Sequence, residues 1–208
     1  YTNMNCFISY LVNDRDVPGV LVQNYSLKHK FRVNTDYFCI VTKDVSEHAR
    51  HSLIQDGLKL LYVDIDDLYE KIRLDNSKIE ILNSQKYRCY MIKFYVFMVI
   101  PERYTRCMYI DADTLFIKDP SIGFSIPTDS SIHMVRDQLI NQYTVPGQPS
   151  SYRLKICENT FNSGCIVFKN TKYVWNKFIS FITSCSCTFL NDGYGDQYIF
   201  NEMHKIKS

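Results

Sequence analysis

Glycine and proline are scarce in this chain, seven and six residues in 208, and tryptophan occurs once. No repeat, low-complexity tract or linker is visible, which excludes a fibrous or largely disordered chain. A surplus of one charge is also missing. Twenty-four Lys and Arg face 22 Asp and Glu, and the basic residues are scattered rather than striped, so the footprint of a nucleic-acid binder is excluded. Long apolar runs are absent as well. The longest, residues 90–100, is about half of what a bilayer span requires and carries Lys93, so no membrane segment is expected here. No basic leader precedes the apolar run at Cys6, which makes the cytoplasm the expected compartment. The chain opens on Tyr1 rather than Met, and a lumenal location behind an upstream anchor stays open.

What is present is ordinary globular material, 46% hydrophobic and 22% charged. The length suits a single domain, residues 1–208, with enough chain for a sizeable core. Eight cysteines stand at 6, 39, 89, 107, 157, 165, 185 and 187. A chain this long does not need disulfide staples. Cys6, Cys39, Cys107 and Cys165 lie inside apolar runs, where buried free thiols are the expectation. Cys185-Ser186-Cys187 has no partner cluster that would make it a metal site. His48 and His51, three apart on a polar helix, read as a solvated face, and His204 has no assigned place.

Strand and helix signals alternate. Strands are expected over 6–12, 37–42, 59–63, 106–110, 131–135 and 164–168. Helices are expected over 18–28, with Pro18 in the first turn, over 46–56 with Gly57 as its stop, and over 85–100, 174–183 and 197–203. Residues 64–83 read as a loop or a short helix. A β-α-β-α-β opening with apolar strands implies a parallel sheet flanked by helices on both faces, with later strands mixed in. The segment 137–160 is polar, contains Pro146, Gly147 and Pro149, and is long enough for a binding loop or lid.

The chemistry centres on Cys107-Met108-Tyr109-Ile110-Asp111-Ala112-Asp113, an apolar run ending in two carboxylates. In open α/β sheets ligands bind beyond the carboxyl ends of the strands. Residues i and i+2 of a strand share a face, so Asp111 and Asp113 would converge there and call for a hard divalent cation. A chance D-x-D in a loop is the plain alternative. Asn13 and Asp14 end the first strand and could touch a base or ribose, or merely cap the next helix. Lys93 could aim at a phosphate, or send its stem to the surface. Asn162-Ser163-Gly164 could let a ligand approach the backbone, or form a turn. Asp196 could cap the last helix, or face a reacting carbon.

The order of these pieces closely resembles glycogenin-like members of glycosyltransferase family 8. The resemblance rests on Phe7-Ile8-Ser9-Tyr10-Leu11-Val12-Asn13-Asp14 with Pro18-Gly19-Val20-Leu21-Val22, on Tyr109-Ile110-Asp111-Ala112-Asp113-Thr114-Leu115, on Phe161-Asn162-Ser163-Gly164, and on Gly195-Asp196-Gln197. It runs over about residues 6–201 and implies the GT-A fold, an α/β Rossmann-like domain with a mixed, mostly parallel sheet. It implies a retaining hexosyltransferase, moving glucose or galactose from a UDP-sugar to a glycan or protein acceptor, with Mn²⁺ as cofactor and Mg²⁺ as the substitute. By resemblance Leu11 and Asn13 would line the uridine site. Lys93 and Asp111-Ala112-Asp113 would meet the donor, with Asp111 holding ribose or metal and Asp113 ligating the metal. Asn162, Ser163 and Gly164 would shape the donor-sugar pocket, with Asp137 as a sugar-hydroxyl contact. Asp196 and Gln197 would lie by the anomeric carbon. A homodimer is compatible with the family, and the composition would suit a short viral member.

The chain departs from the family pattern in two places. Asp16 stands where glycogenin carries an aromatic residue after its Asn-Asp pair. The third metal ligand of the family, a His in a C-terminal His-x-x-Gly-x-x-Lys-Pro-Trp-like segment, has no match before Ser208. Either the chain is truncated or its metal binding is weakened. Two other readings therefore stand beside the transferase. One is an inactive GT-A domain that binds nucleotide-sugars or partners. The other is a haloacid-dehalogenase-type phosphatase, whose D-x-D-x-T/V would have Leu115 in the Thr/Val place.

Overall fold

A computed structural model of the chain describes residues 4–72, 75–82, 85–126, 132–136, 161–169, 172–185 and 196–205. Its six strands are β1 (Met4–Leu11), β2 (Asp36–Val41), β3 (Lys59–Tyr62), β4 (Tyr104–Ile110), β5 (Ile132–Arg136) and β6 (Phe161–Phe168). They form one sheet in the order β3-β2-β1-β4-β6-β5. β1 pairs in parallel with β2 and β4, and β2 with β3. β6 runs antiparallel to both β4 and β5. The sheet is thus mixed and mostly parallel, as the alternation of elements predicts.

The described helices are α1 (Val17–Tyr25), α2 (Glu47–Gln55), α3 (Ile65–Ile72), α4 (Asn76–Leu82), α5 (Gln85–Val99), α6 (Lys172–Ser184) and α7 (Asp196–Lys205). Local chemistry sets their ends. The Asn13 side chain accepts from the Arg15 N–H at 2.9 Å, opening a 3-10 turn that leads into α1. Pro18 sits in the first turn of α1, where its missing N–H costs nothing. Ser46 Oγ accepts from the Ala49 N–H to cap α2. Gly57, at φ +82°, ends it, a backbone conformation that glycine adopts without a Cβ penalty.

Each face of the sheet carries a core, because successive strand residues alternate sides. On one face Ile8, Ile40 and Tyr109 pack with α3, α5, α6 and α7. Phe94 of α5 stacks on Phe178 of α6 and Phe200 of α7, with ring centroids 4.3 and 4.5 Å away. On the other face Phe7, Leu11, Tyr37 and Ile110 pack with Val20 of α1, Leu53 of α2 and Phe124.

Two expectations need correction. Residues 64–83 hold two short helices, α3 and α4, rather than a loop or one helix. Ile65, Leu68, Tyr69 and Ile72 are all buried, an i, i+3, i+4, i+7 stripe too short to stand out in the sequence. β6 begins at Phe161 rather than Gly164, so the Asn162-Ser163-Gly164 segment is strand and not a preceding turn. Asn201 of α7 holds the strand start in place. Its Oδ1 accepts from the Phe161 N–H at 2.8 Å and its Nδ2 donates to the Phe161 carbonyl at 3.0 Å.

Cys6, Cys39 and Cys107 are buried free thiols, whereas Cys165 and Cys185 are free but only partly buried. The segment 137–160, with Asp137 and Cys157, lies outside the described residues, as do Cys187, Gly195 and the side chains of Cys89 and His204. Among the described residues no helix is long and apolar enough to cross a membrane.

Candidate active site

β4 ends at Ile110, so Asp111 to Asp113 form a turn beyond the strand and not its last residues. The Thr114 N–H closes this turn on the Asp111 carbonyl at 3.1 Å. Strand alternation therefore stops at Asp111, which shares the face of Tyr109. Asp113 is exposed two residues further along. The two carboxylates are thus not an i, i+2 pair on a regular strand: Asp111 is partly buried just past β4, and Asp113 is exposed on the turn.

Four elements meet at Lys93. This lysine of α5 is only 3% exposed, so its stem does not run to the surface. Its ammonium lies 3.1 Å from Asp111 Oδ1 and 2.5 Å from Asp196 Oδ2. It also donates to the Ser163 carbonyl at 3.1 Å and to Ser163 Oγ at 3.3 Å, and sits 4.9 Å over the Tyr109 ring. Ser163 Oγ donates to Asp196 Oδ2 at 2.6 Å. Asp196 opens α7, yet its carboxylate faces Lys93 and Ser163. The Tyr109 hydroxyl donates to Asp111 Oδ1, and the Tyr109 ring stacks on Tyr10 at 5.9 Å.

One ammonium thus serves two carboxylates. Burial holds the Asp111 carboxyl above the usual value of 3.8, against the pull of Lys93 and with the push of Asp196. Burial likewise raises the Tyr109 phenol, with the charge of Asp111 adding to it. The cluster carries one uncompensated negative charge, and Asp113 adds another nearby. Added positive charge is what such a cluster lacks.

Gly164 permits a close approach of side chains beside Asp111. A Cβ there would stand 2.8 Å from Asn162 Oδ1 and 3.0 Å from Asp111 Oδ2. Asn162 Oδ1 accepts from the Gly164 N–H at 2.7 Å, and the Gly164 carbonyl accepts from the Asp111 N–H at 2.8 Å. Asp111 therefore commits Oδ1 to Lys93 and Tyr109 and sets Oδ2 against Gly164. Among the described residues no three His, Cys, Asp or Glu form a cation cage. A site of the Mg²⁺ type needs only one or two carboxylates, with waters and substrate phosphates completing the shell. Asp111 Oδ2 and Asp113 suit that demand.

The other sequence candidates are placed as follows. Asn13 is exposed at the end of β1 and engaged as a cap, and Asp14 accepts from the Ser46 N–H at 2.7 Å. Leu11 is 1% exposed, with its side chain packed in the core opposite Lys93. Gln197 is partly exposed in the first turn of α7, and its carbonyl accepts from Asn201 Nδ2 at 2.7 Å. His48 and His51 are exposed on α2. The sequence reading missed Tyr109, Asn201 and a set of buried polar residues, Ser9, Gln23 and Tyr37, behind the Asp111 turn. The one available signal was Gln23, a polar residue inside the apolar run of α1, the same signal that marked Lys93.

A family model described as Glycosyl transferase family 8 matches residues 7–205. A search of curated proteins finds no match. Several solved structures are similar. The galactosyltransferase LgtC, in complex with donor and acceptor sugar analogs, has a TM-score of 0.65 at 14% identity, covering 94% of this chain and 69% of that one. Mouse xyloside xylosyltransferase 1, in its apo form, has 0.56 at 13%, covering 98% and 82%. Core-mannan synthase A from Aspergillus fumigatus, in a Mn/GDP form, has 0.60 at 9%, covering 98% and 69%. At such identities the likeness speaks for the fold, which is GT-A. The family match sets the phosphatase reading aside.

Proposed function

The chain belongs to glycosyl transferase family 8, and from that premise we propose that it transfers a hexose, glucose or galactose, from a UDP-sugar to a glycan or protein acceptor with retention at the anomeric carbon. The observation that carries this reading is the meeting at Lys93 of Asp111, from the D-x-D turn, and Asp196, 85 positions later. One buried cation thereby joins the segment suited to a diphosphate to the segment suited to the reacting sugar.

The residues divide the work as follows. Asp111 Oδ2 and Asp113 would hold a divalent cation, Mn²⁺ or Mg²⁺. When bound, it would supply Lewis-acid neutralisation of the leaving diphosphate. Lys93 provides a fixed positive charge beside the same position, already desolvated and needing little reorganisation as charge develops. Ser163 and Asp196 fix that ammonium from the far side. Gly164 lets the Asn162 amide and the Asp111 carboxylate lie against its backbone, beside where the donor sugar would sit. Asp196 and Gln197, at the N-terminus of α7, would lie on the acceptor side of the sugar. The Mn/GDP form of the Aspergillus fumigatus synthase supports a divalent cation on this fold.

The test is UDP release from a panel of UDP-sugars with Mn²⁺, with and without EDTA. Release from one hexose donor that EDTA abolishes is the expected result. Neither release nor UDP binding with any donor would sink the reading. UDP binding without release would favour a second reading, an inactive GT-A domain that binds nucleotide-sugars. One observation speaks for that alternative: Lys93 already engages Asp111.

A further inference from the structure

Behind the Asp111 turn, on the face opposite Lys93, lies a second polar cluster that touches neither carboxylate side chain. Gln23 of α1 is fully buried, as is Ser9 of β1, and Tyr37 of β2 is 2% exposed. Gln23 Nε2 donates to the Asp111 carbonyl and to the Thr114 carbonyl, each at 2.8 Å. The Tyr37 hydroxyl donates to Gln23 Oε1, and Ser9 Oγ lies 2.8 Å from that hydroxyl and donates to the Ile110 carbonyl at 2.5 Å. The orientation of the amide follows from this arrangement. With Oε1 turned to Tyr37, both amide hydrogens meet carbonyl oxygens, whereas the reverse would set Oε1 against two carbonyls.

One helical turn before Gln23, on the same face of α1, Gly19 lies against the same turn. A Cβ at Gly19 would stand 2.0 Å from the Ala112 carbonyl oxygen. That neighbour is backbone and could yield only if the turn itself moved. One face of α1 thus meets three of the four carbonyls of Asp111-Ala112-Asp113-Thr114, two through Gln23 and one through Gly19.

We propose that Gln23, oriented by Tyr37 and backed by the bare Gly19, is the positioning residue of the D-x-D turn. It sets the path of the backbone from which Asp111 and Asp113 project toward cation and diphosphate. This rests on the reading of the turn as the donor site, but its grip on the turn can be tested without a ligand. Residues that orient such ligands from behind typically change metal affinity by about 10–100-fold when removed.

The experiment uses the full chain and three sets of variants. For Gln23→Leu, UDP binding in Mn²⁺ should weaken by about tenfold or more by calorimetry, and the Thr114 amide should exchange faster by hydrogen-exchange mass spectrometry. Gln23→Leu also leaves the Asp111 and Thr114 carbonyls without their Nε2 donor and lowers the melting temperature. Leu53→Ala, a cavity in the same core, lowers the melting temperature without touching the turn and should keep UDP binding and Thr114 exchange as in wild type. If Leu53→Ala weakens UDP binding as much as Gln23→Leu does, Gln23 acts through folding alone and the proposal is overturned. For Gly19→Ala, helix propensity predicts a more stable helix, whereas contact with Ala112 predicts weaker UDP binding by a similar factor. Wild-type affinity in Gly19→Ala and Gln23→Leu, with Thr114 exchange unchanged, would also overturn it. If the wild type binds no UDP, the donor-site reading fails on its own. Thr114 exchange then still decides whether Gln23 holds the turn.

Discussion

Asp111 is gripped from two sides by different chemistry. Its carboxylate faces a charged, partly open cluster of Lys93, Asp196 and Ser163. Its carbonyl faces a neutral, closed cluster of Gln23, Tyr37 and Ser9. The charged side has fewer positive than negative charges and is built to accept a partner. The neutral side pairs buried amide and hydroxyl groups with one another and with backbone carbonyls, and nothing there calls for a ligand. Buried ions repay their desolvation only in good geometry, whereas neutral hydrogen bonds cost little to keep. A site that must exchange partners therefore uses charge in front, and a rigid template of neutral groups behind.

The comparison breaks most sharply at Asp113. Asp113→Asn should reduce Mn²⁺-dependent turnover to background while leaving the melting curve unchanged, since the side chain is exposed. Turnover equal to wild type would remove Asp113 from the site. Next in size is Lys93→Met, which leaves the buried Asp196 without its cation. Breaking a buried pair in this way costs about 3–5 kcal/mol, and urea denaturation should show it. The double variant Lys93→Met with Asp196→Asn should recover a large part of that loss. If it recovers none, the ammonium does not owe its place to the two carboxylates.

On the neutral side the effect is smaller. Tyr37→Phe should cost about 1 kcal/mol in the same denaturation measurement, and its cost should not vary with salt, unlike that of an exposed charge. The smallest effect belongs to a control pair remote in kind from both clusters, Asp36 and Lys59, 2.6 Å apart. Burial would raise the Asp36 carboxyl, but the Lys59 ammonium and the Tyr104 hydroxyl outweigh it and hold Asp36 below its usual value of 3.8. A lowered carboxyl contributes stability above its unfolded value and loses it as pH falls through the folded one. With Lys59 47% exposed, the contribution should stay under about 1 kcal/mol. Melting temperatures from about pH 5 to about pH 2 should fall less steeply in Asp36→Asn than in wild type.

Much of the charged side was legible in the sequence. A lysine inside an apolar helix, two carboxylates after an apolar strand and an aspartate opening a helix each stand out against their surroundings. Strand alternation does not extend to Asp113, because β4 ends at Ile110 and the pair sits on a turn. The position of Leu11 in the core was likewise not visible from the motif it belongs to. Nearly all of the neutral side was illegible. Gln23 reaches the Asp111 carbonyl across 88 positions, and Tyr37 and Ser9 look like ordinary strand residues. Asn201 was hidden for the same reason, its partner Phe161 being 40 positions away.

The sequence by itself determined the alternation of strands and helices and the residue types available at the ends of β1, β4 and α7. Periodicity, caps and apolar runs are local and act over a few neighbouring residues. Only the tertiary structure decided that Lys93, Asp111, Ser163 and Asp196 share one ion cluster, and that α1 closes on the back of the Asp111 turn. The strand order places β4 between β1 and β6, and contacts across strands and between a helix and a sheet depend on that order, which no local pattern encodes.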